Sequence, residues 1–585
     1  MRIAHLTTVD ISLRYLVLPQ LEGIADLGGE PVGISAPGEF VPELIERGIT
    51  HLPLYESTRS IDPVKDLKAM AEFWRLLRRE KLDVLHTHTP KPGIYGRVLG
   101  RLAGVPVVVN TIHGLYATED DSLAKRIVVY LLEAFAARFS DRELVQSAED
   151  FEFVTRRRIT NPNETILLGN GVDLSRFDPE RVGADARRRI RQSIDPDDST
   201  VVVGSVGRLV AEKGFPELFG AVDRLSDECL MVAIGPYEPD KSDGLDDEFL
   251  TQARAMGVHL PGMQTNVDEW YSAMDLFVLA SHREGFPRAA MEAAAMGLPI
   301  VATDIRGCRE VVDDGGIWRR VPVNDSAALA EAINEIASSG ELRRRWGAAS
   351  REKAAKSFDE KKIVETVLSA QVTALREKGR FDELAGSDDF DISIRDATPA
   401  DAMVIARMHA DYIDTGFLRT LGVGFLRHLY AEMIAYDGAT VLVATDPYGP
   451  VAFVAGVDRV GSFYKRFLRR RGARAGVSGL RGLARPTAWR KVWETATYDG
   501  EHHDTASELL SMAVSTPYRR RGLGADLARS LLERLSNRGI DTVKVVVGAD
   551  NPKAIGLYES VGFVEADTIE VHRGERSLVM IAGRH

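Results

Sequence analysis

Arg208 and Lys213 stand five residues apart in GRLVAEKG (207–214), and Glu284 and Glu292 stand eight apart in REGFPRAAMEAAAMG (283–297). Two cations on one loop can neutralise the charge that develops on a departing diphosphate. Ionised carboxylates only accept hydrogen bonds, so a pair of them discriminates patterns of sugar hydroxyls. Gly285 permits close backbone approach and Pro287 suits a first helical turn, which predicts Glu284 in a loop and Glu292 inside a helix. A second, unrelated set begins at residue 508. YRRRGLGADLA (518–528) spaces Arg519, Gly522 and Gly524 as R-x-x-G-x-G ahead of a helix predicted over 525–538. Inward N–H groups and the helix N-terminus together suit a pyrophosphate there. The strand ELLSMAVS (508–515) precedes this loop and NPKAIGLYESVGF (551–563) follows it. Two sets of phosphate-handling residues imply two active sites and two transferred groups.

The elements that must position them follow from the alternation of apolar runs and helical segments. RIAHLT, EPVGIS, DVLHTH, VPVVVNTIHG and RELVQS read as parallel strands up to about residue 175. STVVVGSV (199–206), LMVAIG (230–235), DLFVLAS (275–281) and PIVATD (299–304) read as a second set, so two Rossmann-like halves with a cleft between them are expected. His86 and His88 in HTHTPKPGIYGR (86–97) and His113 in TIHGL (111–115) fall at or just after strand ends, where that cleft would lie. Residues 341–378 have helical spacing and end at Gly379; FDELAGSDDFD (381–391) reads as a linker. The expected fold is α/β, with domains at 1–180 and 181–378, a linker at 379–390 and a third domain at 391–585.

Bulk properties narrow the function. The chain has 585 residues, too many for one core, with 44% apolar and 27% charged residues, as in ordinary globular proteins. A net charge of −12 argues against a general nucleic-acid partner. Cys229 and Cys308 are too few for a disulfide framework or a zinc site. Neither a signal peptide nor an 18-residue apolar run is present, so a cytoplasmic location is expected. Residues 463–493 carry ten Lys or Arg residues and no acid, interleaved with Phe463, Tyr464, Phe467, Trp489 and Trp493. Two readings stand open: contact with the inner face of a membrane, or a substrate-entry insertion that binds anionic phosphates.

The first set of motifs, together with LGNGVDLSRF (168–177), resembles the glycosyltransferase family 4 group over residues 1 to about 375. That resemblance implies a GT-B fold, a nucleotide-sugar donor, retention of anomeric configuration and no metal. Arg208 and Lys213 would contact the donor diphosphate, Glu284 the sugar and Glu292 the ribose, with Gly285 and Phe286 also binding the donor. His113 would face the donor sugar as a catalytic group, and His88 would lie on the acceptor side. Many members carry a Gly-Gly pair after the first strand, where this chain has TTVDISLRY (7–15), so Asp10 and Ser12 would take over acceptor contacts. The motifs look closest to transferases of polysaccharides and lipid-linked oligosaccharides, which use UDP-sugars and undecaprenyl-linked acceptors. A GT-B sugar-nucleotide epimerase is the rival, disfavoured by Asn-Gly-Val-Asp and E-x7-E together.

The second set resembles the GNAT-type N-acetyltransferases, over about 391–585 and most specifically over 508–563. Acetyl-CoA is the implied co-substrate. Met512 and Val514 would offer strand backbone to its pantetheine arm, and Arg519, Arg520, Arg521, Gly522, Gly524 and Ala525 would hold its pyrophosphate. Asn551 matches a cofactor-side position. Tyr558 matches the acid that protonates the departing thiolate, and Glu508 a base that deprotonates the amine, directly or through water. His502 and His503 are weaker candidates for the base. The alternative to a bifunctional enzyme is a glycosyltransferase whose GNAT-like module binds CoA or membrane without catalysis.

Overall fold

The computed structural model describes residues 1–585 except 61, 118–120, 196–198, 240–242, 313–318, 381–390, 414–417, 479–506, 573–574 and 584–585. Most of the predicted linker, His502, His503, Trp489 and Trp493 therefore lie outside the described residues. The chain divides into two compact units: Arg2–Gly23 with Pro31–Val367, and Leu368–His585 with Met1 and Ile24–Glu30.

The larger unit contains two sheets. The first comprises β1 (Arg2–Val9), β2 (Glu30–Ala36), β3 (Thr50–Pro53), β4 (Val84–Thr87), β5 (Val107–Ile112), β6 (Arg142–Val145) and β7 (Thr165–Leu167), in the order β3-β2-β1-β4-β5-β6-β7. The second comprises β8 (Val201–Val206), β9 (Cys229–Ile234), β10 (His259–Gly262), β11 (Leu276–Leu279), β12 (Ile300–Thr303) and β13 (Arg319–Val321), in the order β10-β9-β8-β11-β12-β13. Strands such as β5 and β11 are buried along their whole length, which explains their unbroken apolar runs. Strand order reverses between β1 and β4 and again between β8 and β11. Ligands of open parallel sheets bind outside the strand ends at such reversals. Asp10 and His88 follow the first, and Arg208, Lys213 and Glu284 the second.

Three sequence expectations change in detail. Pro287 is the N-cap of the Arg288–Ala295 helix and not its first helical residue. The helical stretch 341–378 is two helices, Gly340–Ser357 and Glu360–Glu377. The break falls where Phe358 enters the core and Val172 bridges to Asp359. The helix predicted over 525–538 runs Leu523–Ser536, started by Gly522 in the left-handed region at φ 81°.

The smaller unit is a mixed sheet in the order β14-β15-β16-β17-β18-β20-β19, with β14 (Ser393–Asp396), β15 (Ala439–Asp446), β16 (Gly449–Val457), β17 (Ser507–Val514), β18 (Thr542–Gly548), β19 (Val564–His572) and β20 (Glu575–Gly583). The last turns of the Glu360–Glu377 helix belong here, because Arg376 makes two buried bonds to Asp446, at 3.0 and 2.7 Å. Tyr518 donates to the same carboxylate at 2.6 Å. β17 is parallel to β18 only over Ser507–Leu509 against Val543–Val545, while its antiparallel register with β16 continues to Val514. The two parallel strands therefore part at Leu510.

Of the two readings left open for 463–493, the membrane one loses its aromatic face in the described part. Phe463 and Phe467 are fully buried and Tyr464 is nearly so, all within the core of this unit. Arg466 and Arg471 bond to the buried carboxylate of Glu432, both at 2.9 Å.

Candidate active sites

Lys213 ends a short 3-10 turn after β8, and Gly214 follows it at φ 72°. An added Cβ at Gly214 would lie 1.9 Å from the Ala280 carbonyl oxygen, so this glycine lets the loop close onto the end of β11. Lys213 Nζ then donates to Glu284 Oε1 at 2.6 Å, and Ser281 Oγ donates to the same oxygen at 2.8 Å. Arg208 pairs with Glu238 at 3.3 Å. Glu292 sits on the following helix, where it accepts from Tyr271 at 3.1 Å beside Arg288 at 3.6 Å. Burial raises the Glu292 pKa against the pull of Arg288 and Tyr271. Lys213 and Glu284 are thus one cluster, and Glu292 belongs to a second.

The two sheets of this unit meet through glycine. A Cβ on Gly285 would lie 2.1 Å from the His113 carbonyl oxygen, and one on Gly114 would lie 3.0 Å from Gly285 Cα. Glu284 lines a pocket of about 640 Å³ with Arg283, Arg306 and Arg309 from the second sheet and Asp121, Tyr130, Glu149 and Phe153 from the first. Ser147 donates to Glu310 at 2.6 Å and Arg306 pairs with Asp150 across this cleft. Sequence reasoning missed these pairs, since no local spacing marks them. Phe286 turns its ring to Phe358 at 6.1 Å, and its carbonyl accepts from Asn170 at 3.3 Å. The Asn-Gly-Val-Asp stretch therefore braces the Glu284 loop from behind.

At the first reversal, four imidazoles cluster, three of them in one hydrogen-bonded series. His5 Nδ1 lies 2.9 Å from His88 Nε2, and His88 Nδ1 lies 2.9 Å from His113 Nε2. His86 Nε2 lies 2.7 Å from Thr111 Oγ1. His113 also bonds Gln146. His5, His86 and His88 each bring a nitrogen within 4.8 Å of the others, which is metal-ligand chemistry, and the His86 ring stacks on His88 with centroids 4.3 Å apart. Thr89, next to His88, holds φ 64° and bonds Thr8 at 3.0 Å, a strained position for a β-branched residue at a strand end. Asp10 accepts from the N–H groups of Ile11 at 2.9 Å and Phe40 at 2.8 Å, so its carboxylate braces a turn. Ser12 is half-buried beside it.

Burial lowers the pKa of His5 to about 3 and of His113 to about 4, and drives His86 and His88 well below the usual imidazole range. Such rings take up protons more readily in the unfolded chain. Their stabilisation is complete above about pH 6.5 and drains as pH falls toward 4, at about 1.4 kcal/mol per pH unit for each ring. Urea denaturation across this range should show His5→Gln with a shallower slope, by about one proton. An unchanged slope would remove His5 from the network.

In the smaller unit, Glu508 lies on β17 opposite Lys544, 3.4 Å away, and burial raises its pKa against that partner. Tyr558 is buried with its ring 5.5 Å from Phe563, and burial pushes its pKa up to about 12. Met512 and Val514 occupy the part of β17 beyond the divergence from β18. Arg519 bonds the Val514 carbonyl at 3.0 Å and stacks over Tyr412, Arg520 holds φ 65°, and Arg521 lies over Tyr518. Three residues expected at the cofactor also serve the fold. A Cβ on Gly524 would meet Leu557 at 2.7 Å, the Ala525 N–H bonds Gly522 at 2.9 Å, and Asn551 caps its own helix through Ala554 N at 3.1 Å. A buried series missing from the sequence reading joins His409 to Tyr430 at 2.6 Å and Tyr430 to Ser511 on β17 at 2.9 Å.

Comparison with known proteins adds independent findings. Residues 186–353 match the profile of glycosyl transferases group 1, residues 21–171 a glycosyl transferase 4-like domain, and residues 492–571 an FR47-like protein. An Escherichia coli UDP-Gal:alpha-D-GlcNAc-diphosphoundecaprenol alpha-1,3-galactosyltransferase is 30% identical over 285 residues, 48% of this chain and 72% of that protein. The Staphylococcus aureus capsular polysaccharide biosynthesis glycosyltransferase CapM is 27% identical, over 64% of this chain and 98% of that one. The Anabaena protein Alr3699/HepE, solved with UDP and glucose, superposes with a TM-score of 0.53 at 19% identity, over 63% of this chain and 98% of its own. A Rickettsia africae glycosyltransferase does so with 0.53 at 18%, over 64% and 98%.

Proposed function

We propose, since this chain belongs to the family 4 glycosyltransferases and carries a C-terminal FR47-like domain, that it transfers a sugar from a UDP-sugar to a lipid-linked glycan acceptor and separately acetylates an amine. One observation carries the first activity: Lys213 and Ser281 converge on Glu284 at a strand reversal, beside a pocket lined from both sheets. When donor enters, Glu284 takes sugar hydroxyls and Lys213 is freed for the diphosphate, with Arg208 beside it on the same loop. Glu292 takes the ribose. As the bond from the anomeric carbon to the diphosphate oxygen breaks, the acceptor oxygen attacks from the same face. Its proton passes to the departing diphosphate, and configuration is retained. The neutral His5–His88–His113 series holds His113 in one tautomer at the donor sugar. The acceptor is proposed as diphosphate-linked because the similar galactosyltransferase is named for such an acceptor.

For the second activity, the support is the parting of β17 from β18 at Leu510, which leaves strand backbone for a pantetheine arm. Glu508 would take the amine proton, the amine would attack the thioester, and Tyr558 would protonate the departing thiolate. A non-catalytic CoA-binding module is the second reading, favoured by the structural duties of Gly524 and Asn551.

Thermal shift of the purified full chain tests both sites, because a ligand that binds the native state raises its stability by mass action. UDP-sugars should raise the melting temperature where GDP-sugars do not, and acetyl-CoA should act independently of them. Absence of any UDP-sugar shift would count against the donor assignment.

A further inference from the structure

In the smaller unit, Gly456 on β16 pairs with Leu509 on β17 but Ala455 pairs with Ser511, so Leu510 is an extra residue on β17. This bulge turns Ser511 to the side already taken by Glu508, whose partner is Val457. The residues that meet this side come from helices. Ala402–Tyr412 brings His409, Val423–Ile434 brings Tyr430, and Val460–Ser478 brings Tyr464, whose pKa is raised by burial and then by the Glu508 charge. His409 and Tyr430 are buried whereas Ser511 is half-buried, so Ser511 is the open end of the His409–Tyr430–Ser511 series. That end stands just beyond the parting of β17 from β18, where the thioester would lie.

The series has one direction. Burial lowers the His409 pKa to about 4, so its ring is neutral at neutral pH and offers a nitrogen lone pair. A phenol is a stronger acid than a neutral imidazole N–H, and the 2.6 Å between Tyr430 Oη and His409 Nδ1 is short for N–H donation. Tyr430 therefore donates to His409 Nδ1, and its oxygen accepts from Ser511 at 2.9 Å. With its own hydrogen committed, Ser511 presents only lone pairs to the open side. The ionised Glu508 carboxylate, on the same side of β17, is an acceptor as well.

We propose that Ser511 and Glu508 together select a primary amine as the acetyl acceptor, each taking one of its two N–H groups and leaving the nitrogen lone pair to attack the thioester. The inference rests on the acetyl-transfer reading above. Ser511 touches the substrate, while Tyr430 and His409 act through it as positioning residues. The nitrogen–carbonyl bond forms and the carbon–sulfur bond breaks. The proton facing Glu508 passes to that carboxylate, the N–H on Ser511 stays in the product amide, and the thiolate takes the Tyr558 proton. A secondary amine or a hydroxyl has one hydrogen to give and leaves one acceptor unpaired, a mismatch that such sites reject.

Two measurements test it. In nitrogen NMR of the full chain with isotope-labelled histidine, and with His409→Gln to identify its signals, His409 should be neutral and protonated at Nε2. Protonation at Nδ1 would reverse the series and overturn the proposal while leaving acetyl transfer standing. Acetylation rates for primary amines (an amino sugar, a polyamine and a lysine peptide), each against its N-methyl counterpart, read the selection itself. Ser511→Ala should lower kcat/KM for the primary amine by about tenfold and shrink its preference over the N-methyl form by the same factor. Ser511→Thr should keep that preference, and Tyr430→Phe, which retains the ring on Phe453 at 5.4 Å, should lose part of it. An acetyl-CoA thermal shift retained by Ser511→Ala shows that the fold persists. A preference unaltered in that variant would overturn the proposal. If the chain binds acetyl-CoA and acetylates none of these amines, the acetyl-transfer reading falls and the selection with it.

Discussion

Lys213→Ala is expected to lower sugar transfer by about two to three orders of magnitude, mainly in kcat, with donor binding weakened less. The diphosphate gains charge as it leaves, so a cation beside it contributes more in the transition state than in the bound donor. The substitution also strands Glu284, whose Oε1 would keep only the Ser281 hydroxyl. Glu284→Gln should be comparably damaging, and the double variant little worse than either single one, because the two side chains act as one cluster. Steady-state rates of UDP release for the three variants check this. Additive losses would mean that Lys213 and Glu284 work independently, and an unchanged Lys213→Ala rate would place the donor phosphates elsewhere.

Glu508→Gln should cost acetyl transfer about two to four orders of magnitude while acetyl-CoA affinity stays near wild type. Burial raises the Glu508 pKa, so the carboxylate becomes a base only above the ordinary carboxylate range. The wild-type rate should therefore rise with pH as Glu508 deprotonates, and this limb should vanish in the variant. Tyr558→Phe should lower turnover with the acidic limb kept. If acetyl-CoA binds and neither substitution changes anything measurable, the module is non-catalytic.

The sequence revealed the motifs more fully than the contacts among them. Lys213 and Glu284 were legible because each sits at a fixed distance from a strand end, and parallel sheets place strand ends together. Helix breaks were harder to read: the interruption at Phe358 depends on a bridge to Val172, almost two hundred residues away in a chain whose local spacing stays helical. The His5–His88–His113 series required knowing that β1 lies beside β4, with His5 opposite His86. Aromatic residues among cations at 463–467 looked solvent-facing from composition, but helical periodicity turns Phe463 and Phe467 inward and leaves Lys465 and Arg469 out. The helix Leu123–Ala136 poses the opposite difficulty, since its periodicity reads as an ordinary core-facing helix while Leu123, Ile127 and Leu131 are exposed.

The most direct test of the account is to mix the full chain with a UDP-sugar and a polyprenyl-diphosphate-linked sugar, follow UDP release and determine the product's anomeric configuration by NMR. The account predicts UDP release that requires the acceptor, a product with the donor's configuration, and loss of both with Glu284→Gln. Acceptor-independent UDP release accompanied by an epimerised sugar would contradict it and identify an epimerase instead.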